Sequence, residues 1–196
     1  EEGSTVSYKE RSSWKSFWLV DPLDGTKEFI NKNDEFTVNI AFINNNTPVF
    51  GVVYAPVYDL IFWGGEDIGA FKARGDEPFA TISVNSDFID PIQIASSRSH
   101  PSEEMDLFLD QFKKYNLISM GSSLKICSVA DGSVHLYPRL GPTMEWDTAA
   151  SHAIVKASGG DLVEYGTKKS LLYNKQNLLN PKFIAGCMDK INNLNM

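Results

Sequence analysis

Asp21-Pro22-Leu23-Asp24-Gly25-Thr26 is the stretch on which the reading of this chain turns. An apolar run, Phe17-Trp18-Leu19-Val20, precedes it and reads as a buried strand, and Lys27-Glu28-Phe29-Ile30 follows and can start a helix. Two carboxylates therefore emerge at a strand end, three positions apart, with Pro22 stiffening the turn between them. Gly25 admits a backbone angle that other residues avoid, and Thr26 can open the helix as a cap. Such a corner offers hard oxygen ligands for a cation and, beside them, backbone N–H groups for an anion. A divalent metal carrying a phosphate would fit it. A plain strand, turn and helix cap with no chemistry would give the same local pattern, and the six residues by themselves do not choose.

Upstream of the corner, residues 4–15 are polar with scattered charges and read as a surface connection. The chain starts Glu1-Glu2-Gly3 with no initiator Met, which reads as a fragment with an upstream part missing. Downstream, residues 36–43 and 48–55 form two β-rich runs around Asn44-Asn45-Asn46-Thr47, and asparagine tolerates the left-handed angles of a tight hairpin. Residues 60–63 and 70–72 make a second hairpin through Gly64, Gly65 and Gly69, and 81–84 adds a strand. Up to about residue 89 the pattern is antiparallel sheet.

The character changes at Asp90-Pro91. From residue 90 to 196 short strands at 92–95, 118–120, 134–137, 161–165 and 183–185 alternate with helices at 102–114, 122–130 and 146–158. In the first of these helices Met105, Phe108, Leu109 and Phe112 share one face, and Gly159-Gly160 ends the last. The chain thus divides into an antiparallel-sheet half, 1–89, and an α/β half, 90–196, packed on each other as one mixed α/β protein.

With 196 residues, a hydrophobic fraction of 42% and a charged fraction of 22%, the chain has the make-up of an ordinary globular protein. A net charge of −7 argues against a broad nucleic-acid footprint but not against a small phosphorylated ligand, because a bound cation reverses the local field. Cys127 and Cys187 lie far apart in apolar surroundings with no ligand-spaced partner, and read as reduced core thiols of an intracellular protein. No run approaches the length of a membrane span, and no signal-peptide pattern is present.

Asp147 is the third acid of interest. In Glu145-Trp146-Asp147-Thr148-Ala149-Ala150 it stands where a helix begins, a place at which Asp most often serves only as an N-cap. The functional reading has that helix start converge on the Asp21–Asp24 corner.

Residues 18–26, Trp18-Leu19-Val20-Asp21-Pro22-Leu23-Asp24-Gly25-Thr26, together with Trp146-Asp147-Thr148-Ala149-Ala150 and Gly159-Gly160, resemble the paired signatures of the inositol monophosphatase superfamily. Asp24-Gly25-Thr26-Lys27-Glu28-Phe29 is similar to the 3′(2′),5′-bisphosphate nucleotidase branch, the bacterial CysQ type. The similarity runs from the first residue to about Phe183. It implies a layered α-β-α-β sandwich of the sugar-phosphatase type and a lithium-sensitive phosphatase using two or three Mg²⁺ ions. It also implies release of the 3′-phosphate of adenosine 3′,5′-bisphosphate, with action on the 5′-phosphosulfate relative and a part in sulfur assimilation. A cytoplasmic location, at most peripheral to the cytoplasmic face of the inner membrane, goes with it.

Carried onto this sequence, the resemblance makes Glu1 a metal ligand, with Glu2 as its substitute. Asp21 would bridge two Mg²⁺, the Leu23 carbonyl would bind the first, and Asp24 and Asp147 the second. Gly25 and Thr26 would give N–H groups to the scissile phosphate, and the Thr26 hydroxyl would orient the attacking water. On the nucleotide side it implies His100, Ser122, Lys125 and Arg139. Without it these are a surface histidine, a helix cap, a solvated lysine and a loop arginine. Gly121-Ser122-Ser123 would offer helix-start amides to a second phosphate. His135 and His152 are left to packing. Three rivals stay open: an inositol or fructose phosphatase of the same superfamily, a non-catalytic metal-gated nucleotide-binding module, and an aspartyl-phosphate enzyme. The aspartyl-phosphate chemistry wants its two acids two positions apart rather than three.

Overall fold

The computed structural model describes residues 6–87, 89–97 and 103–196. Its elements in order are α1 (Tyr8–Arg11), β1 (Ser16–Asp24), α2 (Thr26–Asn31), β2 (Thr37–Asn44), β3 (Thr47–Ala55), β4 (Leu60–Gly65), β5 (Gly69–Arg74) and β6 (Ala80–Thr81). Then come β7 (Ile92–Ser96), α3 (Glu103–Leu109), β8 (Tyr115–Ser119), α4 (Leu124–Ala130), β9 (Leu136–Arg139), α5 (Glu145–Ala157), β10 (Asp161–Glu164), β11 (Phe183–Gly186) and α6 (Met188–Ile191).

Strands β1 to β6 form an antiparallel six-stranded meander in chain order. The expected hairpin between β2 and β3 turns through Asn45 and Asn46, both at positive φ. The other sheet has five strands in the order β10-β11-β9-β7-β8, with β7 parallel to β8 and β9 and the remaining pairs antiparallel. Period-two alternation sorts this second sheet between two cores. Tyr137, Leu162, Phe183 and Ala185 join α4, α5 and the inner face of the six-stranded sheet in one cluster. Leu136, Val163 and Ile184 face the opposite way, against Phe108, Leu109 and Ile191 of α3 and α6. Read from that side the layers run helix, sheet, helix, sheet.

Helix α5 lies across β1 to β5 and supplies most of the inner layer. Its small residues matter because β3 comes very close. A Cβ on Gly51 would stand 2.1 Å from the Ala150 carbonyl oxygen.

Some local expectations differ from the fold. The strand at 17–20 is not buried: Trp18 is 59% and Val20 48% exposed. β1 is the edge of its sheet, and no layer among the described residues covers that face. Within 4–15 the chain is not only connection, because α1 forms there and Arg11 is buried, its guanidinium donating to Asn174 Oδ1 at 2.8 Å and to the Gln176 carbonyl at 3.0 Å. The strand expected over 81–84 ends at Thr81, where the chain leaves the sheet and Val84 N turns to the Ser158 carbonyl. The helix expected over 102–114 stops at Leu109, with the Gln111 amide bonded back to the Phe108 carbonyl.

Candidate active site

β1 ends in the corner. Its pairing with β2 shifts register between Asp21 and Asp24, so the strand bulges where the acids emerge. The Asp21 carboxylate accepts from Leu23 N at 3.0 Å, an Asx-type turn that Pro22 pre-sets. Gly25 then takes φ 91 and ψ 46, the left-handed well, and is itself the N-cap of α2. Thr26 is thus the first helical residue rather than the cap, because the left-handed step has to precede the helix.

Asp24 is the most heavily tethered acid. Its Oδ2 accepts from Ser123 N at 2.7 Å, from Thr37 Oγ1 at 3.2 Å and from Asn39 Nδ2 at 3.2 Å. Ser123 Oγ lies 2.7 Å from the same oxygen and 2.8 Å from the Asp147 carbonyl, its single proton serving one at a time. This serine joins the corner to α5. Asp147 is not the N-cap of α5. It occupies the third helical position and accepts from the N–H of the capping residue, Met144, at 2.8 Å, which fixes the rotation of its carboxylate.

These positions bring Asp21, Asp24 and Asp147 together. One oxygen from each lies within 4.8 Å of the others, although Asp147 is more than a hundred residues along the chain from Asp21 and Asp24. Burial is the first cause that pushes the Asp147 carboxyl up to about 7, with the neighbouring charges of Asp24 and Asp21 adding to it against the Met144 hydrogen bond. A cluster of hard oxygens that resists ionising all its members at once is suited to a divalent cation. The donor set fits such an ion. In the metal-free chain the Asp147 carboxyl is expected to titrate near pH 7, read as the carbonyl shift in ¹³C NMR. A midpoint near 4 would remove the crowding on which this argument rests.

The same cleft is lined by Gly25, Ser122, Lys125 and Arg139 along with Asp24 and Asp147. Lys125 is nearly buried rather than solvated. Its Nζ donates to the Ser122 carbonyl at 2.8 Å and the Met120 carbonyl at 3.2 Å, and it stands 5.7 Å from the Tyr137 ring centre. Burial lowers its pKa to about 8 in spite of Asp24. Ser122 takes a positive φ, and its buried Oγ has no hydrogen-bond partner among the described residues. Arg139 gives Nη1 to Ser97 Oγ and Nη2 to the Pro142 carbonyl, while its buried Nε has no partner among the described residues.

One expectation narrows. Two of the three amides of the Gly121-Ser122-Ser123 turn are already spent within the protein, Ser123 N on Asp24 and Gly121 N on Glu35 Oε2 at 2.6 Å. Thr26 is exposed, between Gly25 and Lys27, which both line the cleft. Glu1 and His100 lie outside the described residues. The hold of Ser123, Asn39 and Thr37 on Asp24 was not read from the sequence. A signal existed for the last two: they are polar residues in the buried phase of a strand that otherwise alternates cleanly, Asn39 being 1% exposed.

A family model described as the inositol monophosphatase family matches residues 1–192. The 3′(2′),5′-bisphosphate nucleotidase CysQ of Salmonella typhimurium is 44% identical over 182 residues, covering 93% of this chain and 72% of the relative. The protein of that name from Buchnera aphidicola is 38% identical over 200 residues, covering 95% and 70%. Among solved structures, CysQ from Bacteroides thetaiotaomicron superposes with a TM-score of 0.88 at 43% identity, over 96% of this chain and 75% of that one. An inositol monophosphatase from Anabaena gives 0.72 at 23% identity over 93% and 73%, a likeness of fold.

Proposed function

From a chain that belongs to the inositol monophosphatase family, we propose a phosphomonoesterase that releases the 3′-phosphate of adenosine 3′,5′-bisphosphate to give AMP and phosphate. The carrying observation is the meeting of Asp21, Asp24 and Asp147, the last two lining a cleft that also holds Lys125 and Arg139. An acid cluster needs cations before it can accept a phosphate dianion, and the basic groups beside it answer the second phosphate of a bisphosphate. The 5′-phosphosulfate relative presents the same 3′-phosphate and falls within the reading.

In this reading Asp21, Asp24, Asp147 and the Leu23 carbonyl hold Mg²⁺, two or three ions, with Glu1 contributing from outside the described residues. Bound there, the ions cancel phosphate charge and make water a stronger nucleophile. The protein's part is positioning. Ser123, Thr37 and Asn39 fix one oxygen of Asp24. Gly25 and Thr26 give backbone N–H groups to the scissile phosphate, and the Thr26 hydroxyl orients the water. Lys125 and Arg139 take the distal phosphate, with Ser122 and His100 against the nucleoside. Arg139 is already held by Ser97 and Pro142, so it meets a ligand as a preset fork rather than a loose chain. Water attacks directly, so no phospho-enzyme accumulates. A nucleotide substrate and two reduced, buried thiols agree with a cytoplasmic site of action. No helix among the described residues is long and apolar enough to cross a membrane.

The test is phosphate release from adenosine 3′,5′-bisphosphate against inositol 1-phosphate, with Mg²⁺ and with added Li⁺. The nucleotide is expected to be favoured by on the order of 10² or more in kcat/KM, because a pocket that presents buried polar groups discriminates strongly when they go unmatched. Li⁺ is expected to inhibit. Turnover confined to the inositol ester would defeat the substrate assignment.

A further inference from the structure

The first turn of α5 carries Asp147, and it is gripped by a segment that does not line the cleft, residues 173–180. Glu145 N donates to the Leu178 carbonyl at 3.0 Å, Asn180 N donates to the Thr143 carbonyl at 2.8 Å, and Met144 pairs with Leu179 in an isolated antiparallel bridge. The buried Glu145 carboxylate accepts from Asn174 N at 2.6 Å, Lys175 N at 3.0 Å and Lys175 Nζ at 2.7 Å. The Thr148 hydroxyl meets the buried Tyr173 hydroxyl at 3.3 Å.

Asn180 stands at the centre of this grip. Its Nδ2 lies 2.8 Å from the Met144 carbonyl, 3.0 Å from Thr148 Oγ1 and 3.3 Å from Thr143 Oγ1. The orientation of the amide follows from chemistry. Its Oδ1 faces Lys175 Nζ, which can only donate, and its nitrogen faces a carbonyl, which can only accept. At 6% exposure, water has little access to replace these bonds.

We propose that Asn180 is a positioning residue for cation binding: its side chain fixes Met144, whose own N–H holds the Asp147 carboxylate at 2.8 Å. The inference rests on the reading of Asp147 as a cation ligand. The backbone bond from Asn180 N ends on the very peptide that presents the Met144 N–H, and the side chain holds the next peptide along. Two successive peptides at the helix start are therefore fixed by one residue thirty-six positions away. Without the side chain the Met144 carbonyl loses its shorter hydrogen bond and keeps only the Asp147 N–H at 3.2 Å, so the cap loosens and the carboxylate it aims can swing away from Asp21 and Asp24. Outer partners of metal ligands commonly contribute ten- to a hundredfold in affinity.

The experiment titrates Mn²⁺ into the full metal-free chain, following free ion by electron paramagnetic resonance with no substrate present. Asn180→Ala is expected to weaken Mn²⁺ binding by about tenfold or more. Asn180→Asp keeps the shape but loses the donors, and it decides the matter if the alanine variant does not fold. In turnover, the same variants are expected to need proportionately more Mg²⁺, with kcat recovering at saturating ion. Tyr173→Phe, which leaves Met144 held, is expected to bind Mn²⁺ within about twofold of the parent. A folded Asn180 variant that melts lower yet binds Mn²⁺ like the parent would overturn the proposal and leave a purely structural asparagine. A parent chain that binds no Mn²⁺ at all would remove the metal site itself, and this inference with it.

Discussion

Asp147→Asn is expected to abolish most phosphate release and, in the absence of metal at pH 8, to make the chain more stable. The first half follows from the geometry, since the variant removes one of three carboxylates that face a shared point. A direct ligand should matter more than the ten- to hundredfold typical of its outer partners, so the loss in kcat/KM is set at 10² or more, an order-of-magnitude floor. The second half follows from proton linkage. The folded chain holds the Asp147 proton up to about pH 7, whereas the unfolded chain releases it near the ordinary aspartate value of 3.8. Between those values the folded state binds more protons, so this group's contribution to stability falls as pH rises through the window. Above it, the ionised carboxylate costs the metal-free fold on the order of 4 kcal/mol.

Asparagine carries no charge to be penalised, and its carbonyl oxygen can still accept from Met144 N. The metal-free variant should therefore melt higher than the parent at pH 8, by roughly 10 °C for a chain of this size. At pH 5 the difference should shrink. Adding Mg²⁺ should raise the parent more than the variant and close the gap from the other side. Asp24→Asn should show no comparable gain, because four donors from Ser123, Thr37 and Asn39 already compensate that oxygen. Thermal melts at the two pH values, with and without Mg²⁺, check all of this. A variant that melts below the parent at pH 8 without metal would mean that the acids are not crowded.

Much of this site is local chemistry that a sequence can display. The corner at residues 21–26, the Asn45-Asn46 turn and the helix from Trp146 are set by glycine, asparagine and period, all of which act within a few residues. What the chain could not display is where its polar groups find partners. Gly121 and Ser123 read as helix-start donors awaiting an anion, but they spend their N–H groups on Glu35 and Asp24, which lie 86 and 99 positions away. The apolar run at 17–20 has the same letters whether or not a layer covers it, and it is the uncovered outer face of the sheet, shared with Ile40 of β2, that leaves Trp18 exposed. Asp147 was recognisable as a helix-start acid. Whether it caps or closes a capping box depends on Met144, which offers no side-chain signal. The segment from Tyr173 to Asn180 has no periodicity at all, and its hold on α5 is visible only in three dimensions.

That hold sits on one side of α5, and the opposite side depends on an absence. Gly51→Ala is expected to be among the most damaging single-methyl changes in the molecule. The added carbon would stand 2.1 Å from the Ala150 carbonyl oxygen, 2.8 Å from its carbon and 2.9 Å from its Cα. All are backbone atoms, so no rotamer change relieves the clash, and strand or helix must move. β3 lies inside the six-stranded sheet, bonded on both sides, which leaves α5 as the element that yields. Overpacking of this kind costs about 3 kcal/mol or more. The displacement has a chemical consequence as well. Ala150 is three residues beyond Asp147, whereas Asp21 and Asp24 ride on the sheet, so pushing helix from sheet pulls the acid cluster apart. Gly51→Ala should therefore lose Mn²⁺ affinity even at temperatures where it stays folded. Gly141→Ala, whose nearest neighbour would be at an ordinary 3.7 Å, should melt within about 1 kcal/mol of the parent. Should folded Gly51→Ala bind Mn²⁺ as the parent does, the helix-to-sheet distance would not be what holds the three acids together.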